Sequence, residues 1–347
     1  MQEKRIKIGI VGAGDNTRRK HIPGLRAIPG IEIAGVVNRS PESSRRVADE
    51  FEIPKTYVHW EEAVNDPETD AIVIGTWPYL HAPVTLAALE AGKHVLTEAR
   101  LAMNVTEARC MVKAARACPG QIAQVVPSPF GLREDKTVRR LQSEGFIGEP
   151  LAVSVTMGRD FIDRERAYGW RDDADLSGVN AMALGIWYEV VLRWCGHARS
   201  VSANARTFVP WRKTGDGEMR SVRVPDHLDV IAELDSGASL NLRMSSGTGF
   251  AEPNGITLFG SEGTLALRGG KLLGGQRGDD ELSEISIPDN EAGGWRVEEE
   301  FVNAMRGLEP VRFTTFDDGL KYMEFTQAVL QSSRAGERIE LPFGLSV

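Results

Sequence analysis

Cysteine is scarce in this chain. Three cysteines occur among 347 residues, Cys110, Cys118 and Cys195, and none belongs to a C-x-x-C pair. An odd number without paired spacing argues against a disulfide framework and against a thiolate metal cluster. The sequence also has no H-E-x-x-H, G-x-S-x-G or Walker A segment, so zinc-peptidase, serine-hydrolase and P-loop chemistry find no support. We expect no metal site.

Long apolar runs and an excess of basic charge are lacking as well. No apolar stretch reaches the length of about eighteen residues that a membrane-spanning helix needs. The formal charge of -8 argues against a protein that binds the nucleic-acid phosphate backbone. The N-terminal residues lead directly into an apolar strand, without a signal-peptide pattern. We therefore expect a soluble, cytoplasmic protein that binds neither membranes nor nucleic acids.

Two domains are predicted from the length and from a change in pattern. A chain of 347 residues exceeds what one hydrophobic core usually organises. Up to residue 125, short apolar runs alternate with helical patterns, which is typical of β-α-β units on a parallel sheet. Beyond Pro127 and Pro129, short strands joined by turn residues predict a mostly antiparallel sheet. The predicted domains are an α/β Rossmann domain, residues 1–125, and an α+β domain with an open, mostly antiparallel sheet, residues 126–347.

A glycine-rich turn follows the first predicted strand and opens a helix pattern. In this context a G-x-G-x-x-G type segment predicts dinucleotide binding. Gly12 permits the tight turn, and Gly14 lets backbone N–H groups approach a pyrophosphate. Thr17 stands where the third glycine is usual, so the motif depends on its β-α-β context for support. The predicted cofactor contacts in this turn are Gly12, Gly14, Asp15, Asn16 and Thr17.

The second predicted strand ends at Asn38-Arg39-Ser40. Folds that prefer NAD usually offer a carboxylate to the ribose hydroxyls at this point, which Asn38 cannot supply. An arginine near this turn accommodates a 2′-phosphate, so Asn38, Arg39 and Ser40 are predicted cofactor contacts. NADP is the predicted cofactor, with NAD as the alternative. Arg39 has a second interpretation, in which it stacks on the adenine or points to water.

The ordered set of segments resembles the Gfo/Idh/MocA oxidoreductases, such as glucose-fructose oxidoreductase and the inositol dehydrogenases. It spans nearly the whole chain: the glycine-rich turn with His21–Leu25, Thr76–His81, Leu89–Val95 and Phe259–Gly263. The resemblance implies an NAD(P)-binding first domain and a second domain whose open sheet carries substrate residues. It also implies a homodimer or homotetramer.

The family resemblance also assigns cofactor contacts on the nicotinamide side. In family members the segment that corresponds to Thr76, Trp77, Pro78 and His81 lies along the nicotinamide. We expect a cofactor-side or packing role for His81 rather than proton transfer, because a neutral histidine often satisfies local hydrogen bonds.

The catalytic motif after the fourth strand departs from the family pattern. Members typically carry E-K-P here, and the lysine orients or polarises the substrate hydroxyl. This chain has Glu98-Ala99-Arg100, so the carboxylate is retained and the ammonium is missing. Glu98 remains a predicted cofactor contact.

A second family motif, D-x-G-x-H-x-x-D on a helix, supplies acid and base groups in relatives. With its glycine aligned to Gly185, the three polar positions fall on Ala183, Trp187 and Val190, none of which ionises. Their spacing still places them on one helix face. The usual histidine proton acceptor is therefore absent from its position.

Other side chains are predicted to take over the proton chemistry. Tyr188 and Glu189 adjoin the Trp187 position, and cationic neighbours such as Arg100 and Arg171 would lower the pKa of a tyrosine. A packed Tyr188 and a structurally paired Glu189 are the alternatives. The predicted catalytic residues are Tyr188, Glu189 and Arg100, and the predicted substrate contacts are Arg171, Asn180 and Trp187.

The leading hypothesis is an NAD(P)-dependent oxidoreductase. It moves a hydride between the nicotinamide and a secondary alcohol or ketone of a sugar, cyclitol or related polyol, which is the expected small-molecule partner. Two alternatives stay open, since a fold does not fix a function. One is an NAD-dependent glycoside hydrolase or lyase with transient redox chemistry, and the other is a catalytically inactive dinucleotide-binding protein.

Overall fold

The computed structural model describes residues 5–158 and 160–343, and its contacts divide the chain into two compact units. Unit 1 comprises Met1–Pro127 and Arg296–Leu320, and unit 2 comprises Ser128–Trp295 and Lys321–Val347. The chain first passes from unit 1 to unit 2 after Pro127, close to the boundary predicted after residue 125. The return of Arg296–Leu320 to unit 1 is a correction, because the sequence had placed this segment in the second domain.

Strands and helices alternate in the first part of the chain, and strands dominate the middle. The strands are Ile6–Val11 (β1), Ile31–Val37 (β2), Ala71–Ile74 (β3), His94–Thr97 (β4), Ala123–Val125 (β5), Pro150–Met157 (β6), Ala198–Arg206 (β7), Trp211–Lys213 (β8), Met219–Ser221 (β9), His227–Leu234 (β10), Ser239–Ser245 (β11), Gly255–Gly260 (β12), Gly263–Arg268 (β13), Lys271–Gln276 (β14), Ser283–Glu284 (β15) and Ile339–Glu340 (β16). The α-helices are Ile22–Arg26 (α1), Pro41–Glu50 (α2), Trp60–Asn65 (α3), His81–Glu90 (α4), Val105–Ala117 (α5), Asp135–Ser143 (α6), Ala174–Ser177 (α7), Leu184–Cys195 (α8), Val297–Met305 (α9) and Phe316–Ala335 (α10). In the described part of the chain, none of the helices has the length and hydropathy that a bilayer crossing requires.

Unit 1 is built on a five-stranded parallel sheet. Its strand order is β2-β1-β3-β4-β5, and every neighbouring pair is parallel. The strands are rich in Ile and Val, and β3 is buried along its whole length, as expected for a sheet covered on both faces. Helix α4 packs Val84 and Leu89 into the same core as Ile72 and Ile74. The predicted Rossmann architecture is confirmed.

Backbone and carboxylate hydrogen bonds fasten the returning segment to unit 1. The buried Glu300 carboxylate accepts hydrogen bonds from Gln124 Nε2 at 3.2 Å and from the backbone N–H groups of Arg312 and Phe313 at 2.9 Å. Thr314 and Val125 exchange backbone hydrogen bonds at the edge of β5. These long-range contacts explain why Arg296–Leu320 belongs with the Rossmann sheet. No local sequence pattern predicts them.

Unit 2 is built on a nine-stranded mixed sheet, which confirms the predicted second fold. The strand order is β15-β14-β13-β12-β6-β11-β10-β7-β16, and among the pairings described only β6 with β11 is parallel. Buried and more exposed side chains alternate along β10 and β11. Such alternation is typical of an antiparallel sheet with one face on the core.

The glycine-rich turn of unit 1 packs against the end of β3 with no room for a Cβ at Gly12 or at Gly75. Gly12 has φ +84°, and a Cβ there would lie 2.6 Å from Thr76 Cγ2. A Cβ on Gly75 would lie 2.0 Å from Thr17 Oγ1 and 2.2 Å from the Gly12 carbonyl oxygen. Thr17 is buried, and its hydroxyl donates to that same carbonyl at 3.3 Å. Because Gly75 lacks a Cβ, the turn accepts a threonine where dinucleotide-binding turns usually have a glycine.

A substitution at Gly75 tests this packing. Gly75→Ala places a methyl group against the Thr17 hydroxyl and the Gly12 carbonyl oxygen. We therefore expect a loss of about 3 kcal/mol in the free energy of unfolding. Gly120→Ala is the matched control, since a Cβ there meets nothing within 4 Å, and it should change stability by less than about 0.5 kcal/mol. Denaturant unfolding measures both. Equal stability of the two variants would contradict the packing described.

Candidate active site

A cavity of about 420 Å³ lies in unit 1 at the carboxyl ends of β1, β2 and β3. Ligands of open α/β sheets bind at this edge. Its walls combine the glycine-rich turn with polar and aromatic side chains. The lining residues are Val11, Gly12, Ala13, Gly14, Val37, Asn38, Arg39, Ser43, Val58, His59, Trp60, Gly75, Thr76, Trp77, Tyr79 and Leu80.

Asn38 connects the glycine-rich turn to the start of α2. Its Oδ1 accepts a hydrogen bond from the Ala13 backbone N–H at 2.7 Å, and its Nδ2 donates to the Ser43 carbonyl at 3.2 Å. Its own backbone N–H donates to the Ser44 hydroxyl at 2.8 Å. The side chain predicted as a cofactor contact therefore also holds the turn in shape. It offers no carboxylate to the cavity.

Arg39 and Ser40 stand at the same end of the sheet but in different settings. Arg39 is exposed, and its guanidinium carbon lies 5.7 Å from the centroid of the Trp77 ring. Ser40 is the N-cap of α2, and its hydroxyl accepts from the Ser43 backbone N–H at 3.3 Å. Arg39 is thus presented at the cavity wall beside an aromatic face. Ser40 orders the helix that begins there.

Asp15 and Asn16 open the helical segment that follows the turn. Asp15 is exposed and pairs with Arg19 at 2.9 Å across one helical turn. Asn16 Nδ2 donates to Glu98 Oε1 at 2.5 Å, and Glu98 directly follows β4. The structure therefore brings together two predicted cofactor contacts that are 82 residues apart in the chain.

His81 is fully buried at the first position of α4. Its Nδ1 lies 2.8 Å from the Arg100 carbonyl oxygen, and its Nε2 lies 3.0 Å from the Thr76 carbonyl oxygen. Burial lowers the pKa of this ring, and the hydrogen bonds to both carbonyls only partly offset it. The ring joins the segments after β3 and β4. This placement agrees with the expected packing role, while its contact with a cofactor stays a prediction.

Tyr188 is the clearest correction to the sequence predictions. It is fully buried in unit 2, and its ring stacks on Phe325 with centroids 3.6 Å apart. Its hydroxyl lies 2.7 Å from His197 Nδ1 and accepts from the Ala198 backbone N–H at 2.7 Å. Burial raises the pKa of the phenol far above its usual value, where cationic neighbours had been expected to lower it. Tyr188 is therefore packed as a core residue, the alternative that the sequence left open, and the expected lowering of its pKa is not found.

Glu189 is also packed in the interior of unit 2, which agrees with the structurally paired alternative, while its catalytic role stays a prediction. It is buried, and its carboxylate accepts from the Ser128 backbone N–H at 2.9 Å. Trp187 is also buried, stacked on Phe130 with ring centroids 4.3 Å apart. Both side chains hold α8 against the chain that follows β5.

Of the remaining predicted site residues, three are buried and one is exposed. Asn180 is buried, and its Nδ2 donates to the Ser177 carbonyl at 2.7 Å, so its amide serves the loop before α8. Arg100 is buried in unit 1. Arg171 is exposed, with its guanidinium carbon 4.3 Å from the centroid of Trp170. Pro78 is buried and begins a short 3₁₀ turn.

Sequence reasoning missed several residues near the dinucleotide site. Trp60, Tyr79 and Ser43 line the cavity, and only the position of Ser43 after the second strand gave a signal. His21 was noticed as part of a family segment but received no role, although it touches Glu98. Its other partner, Glu298, lies 277 residues further along the chain.

The parallel sheet, the glycine-rich turn and the cavity define a Rossmann-type nucleotide-binding fold. Residues 6–124 match the model of the oxidoreductase family with an NAD-binding Rossmann fold, and residues 136–266 match the GFO/IDH/MocA C-terminal domain. The chain belongs to the Gfo/Idh/MocA oxidoreductase family, as its sequence had suggested.

Similar proteins include enzymes that act on sugars and diols. The chain is 31% identical to 1,5-anhydro-D-fructose reductase of Ensifer adhaerens over 75% of each chain. It is 26% identical to trans-1,2-dihydrobenzene-1,2-diol dehydrogenase of Mus musculus over 76% of this chain and 74% of the relative. Its fold matches levoglucosan dehydrogenase in complex with NADH and levoglucosan, with a TM-score of 0.87 at 20% identity over 98% of this chain and all of the other.

Replacing Tyr188 checks its reassignment as a core residue. Tyr188→Phe keeps the ring stack but leaves the Ala198 N–H without its acceptor, so we expect a loss of about 2 kcal/mol in the free energy of unfolding. Turnover should stay within about twofold, whereas loss of a general acid or base costs about a hundredfold or more. Steady-state kinetics measure the turnover, and denaturant unfolding measures the free energy of unfolding. A hundredfold drop in kcat without loss of stability would restore the catalytic role.

Proposed function

We propose that this protein uses NADP in preference to NAD to transfer a hydride to or from a secondary alcohol or ketone of a sugar, cyclitol or related polyol. The observation that carries the proposal is the cavity of unit 1, where a glycine-rich turn, Asn38 in place of a carboxylate, and the exposed Arg39 share one wall. The named activities of the relatives support the class of substrate.

The residues around the turn fit a dinucleotide. Gly12 has a positive φ, and the cavity wall at Gly12–Gly14 is backbone, which suits the close approach of a pyrophosphate. A helical segment begins directly after this turn at Asp15, so its first N–H groups can interact with an anion. When bound, the nicotinamide supplies or accepts the hydride. Gly12, Gly14 and Thr76 would form the wall against the cofactor, with Trp77 beside them.

The preference for NADP rests on charge. A carboxylate at the Asn38 position would repel a 2′-phosphate, and Asn38 has none. Arg39 supplies an exposed guanidinium at the same wall, and such a group binds phosphate through charge-assisted hydrogen bonds. The neighbouring Trp77 ring holds its guanidinium near the cavity.

The substrate half of the proposal uses fewer residues than the sequence suggested. Tyr188 and Glu189 are packed as core residues. Arg100 is therefore the proposed source of positive charge, since it follows Ala99, which stands at the position of the family lysine. Arg171 stays a proposed substrate contact, since it is exposed on unit 2. We further propose that the protein assembles as a homodimer or homotetramer, as the family resemblance implies.

A substrate panel tests the reaction. Purified protein is mixed with NADP or NAD and a set of sugars, cyclitols, anhydrosugars and dihydrodiols, and absorbance at the reduced-nicotinamide band is followed. We expect reduced cofactor to accumulate with at least one polyol. Release of an aglycone from a glycoside without reduced cofactor would replace the proposal with hydrolase or lyase chemistry. Cofactor binding without any turnover in either direction would point to an inactive binding protein.

Replacing Arg39 tests the nucleotide preference. Arg39→Ala removes the only charge that the proposal assigns to the 2′-phosphate, so we expect the Kd for NADP to rise about tenfold. The Kd for NAD should change by less than about threefold. Calorimetric titration of both cofactors measures the ratio. Arg116→Ala is the matched control, because Arg116 pairs with Asp317 and does not line the cavity. Equal losses for both cofactors would contradict the assignment.

A further inference from the structure

We propose that His21 is a positioning residue of the dinucleotide site. Held as a buried imidazolium between Glu98 and Glu298, it keeps Glu98 and Asn16 in place beside the glycine-rich turn. The inference rests on the proposed use of a dinucleotide. The inference adds that cofactor binding requires a proton on His21. The proposed reaction alone does not include this requirement.

The geometry places the imidazole between two carboxylates. His21 is fully buried, its Nδ1 lies 2.5 Å from Glu298 Oε1, and its Nε2 lies 2.9 Å from Glu98 Oε1. An ionised carboxylate oxygen and an unprotonated ring nitrogen are both acceptors, so only the doubly protonated ring donates to both carboxylates. The same Glu98 oxygen accepts from Asn16 Nδ2 at 2.5 Å. The ring therefore connects the helical segment after the turn, the end of β4 and helix α9.

Close approach of α9 to this cluster depends on a glycine. A Cβ on Gly24 would lie 2.9 Å from Glu298 Oε2, so a larger residue in α1 would displace the carboxylate from His21. The chain at His21 itself ends a π-helical turn, Thr17–His21, directly after the cofactor turn. Such turns are found frequently at functional sites. The local backbone and the long-range partner together direct the ring into the cluster.

The balance of charges favours the protonated ring. Burial of His21 opposes its charged form, but the hydrogen bonds that the ring donates to Glu298 and Glu98 outweigh burial and raise its pKa to about 9. The pKa of Glu98 is lowered in turn: burial acts to raise it, and the contacts with His21 and Asn16 prevail. His81, whose pKa is lowered by burial, also faces Glu98. The protonated ring thus places a positive charge between the Glu98 and Glu298 carboxyl groups.

Loss of the proton changes both charge and geometry next to the turn. A neutral ring donates to only one carboxylate, so the cluster gains a negative charge and loses one of its two hydrogen bonds. Asn16 opens the helical segment directly after Gly12 and Gly14. These glycines are expected to contact the pyrophosphate, so an added negative charge here opposes an anionic cofactor. Because the folded-state pKa is raised from 6.5 to about 9, the favourable state is fully present below pH 6.5. It is lost as the pH rises through about 9.

Cofactor titrations between pH 7.5 and 10 test the inference, with circular dichroism to verify that the protein stays folded. For the wild type we expect the Kd of NADPH to rise about tenfold with a midpoint near pH 9. His21→Gln should bind about tenfold more weakly at pH 7.5 and lose this pH dependence. Glu298→Gln removes one carboxylate from the ring, so the midpoint should move to lower pH, a shift that loss of packing alone would not produce.

His227→Gln is the matched control. His227 also pairs with a carboxylate, Asp229 at 3.0 Å, but lies in unit 2, so this variant should keep the wild-type midpoint. A wild-type affinity for NADPH that does not change between pH 7.5 and 10 overturns the role of His21 and leaves the proposed function intact. A His21→Gln variant that keeps the wild-type midpoint has the same consequence. Absence of NADPH binding at every pH overturns both. Normal pH-dependent binding without turnover of any polyol overturns only the proposed reaction.

Discussion

The close approach of β3 to the glycine-rich turn is the constraint on which the cofactor half depends. Val11 pairs with Ile74 in the parallel sheet, and the next residues, Gly12 and Gly75, meet where neither has space for a Cβ. The Gly75 N–H donates to the Val11 carbonyl at 2.8 Å, and the Gly12 N–H donates to the Val37 carbonyl at 2.8 Å. Three strand ends are thereby fixed around one turn, and the cavity is the space that they leave.

Polar side chains then stabilise this backbone from two sides. Asn38 holds the turn from the β2 side, and the His21 cluster holds the following helical segment from the β4 side. Burying charges is costly unless they are paired and hydrogen-bonded. In this cluster the imidazolium and the carboxylates satisfy one another, so the same interaction that orders the site also makes it sensitive to the loss of a single proton.

The sequence predicted the parts of the fold that local patterns encode. The first apolar strand, the glycine-rich turn after it and the short strands joined by turn residues each depend on a few neighbouring residues, and the fold class that they predicted is confirmed. The contact of Glu298 with His21 and the hydrogen bonds of Glu300 join segments far apart in the chain. No periodicity marks such contacts, and the return of Arg296–Leu320 to unit 1 was therefore missed.

The prediction of Tyr188 relied on adjacency in sequence rather than on adjacency on a helix face. Tyr188 was chosen because it follows Trp187, yet successive residues of a helix do not face one another. In α8 the tyrosine points to Phe325 and the tryptophan to Phe130. The family motif falls on a helix, α8, as expected, while the direction of each side chain depends on packing partners that a single sequence does not specify.

Energy transfer from the protein's tryptophans to a reduced nicotinamide is the most direct measure of the central claim, that unit 1 binds a dinucleotide at the cavity beside Trp60 and Trp77. NADPH and NADH are titrated separately into the wild-type protein at neutral pH, with excitation of tryptophan and detection of nicotinamide emission. The account predicts saturable energy transfer with both cofactors and a lower Kd for NADPH. A signal that fails to saturate with either cofactor would contradict it.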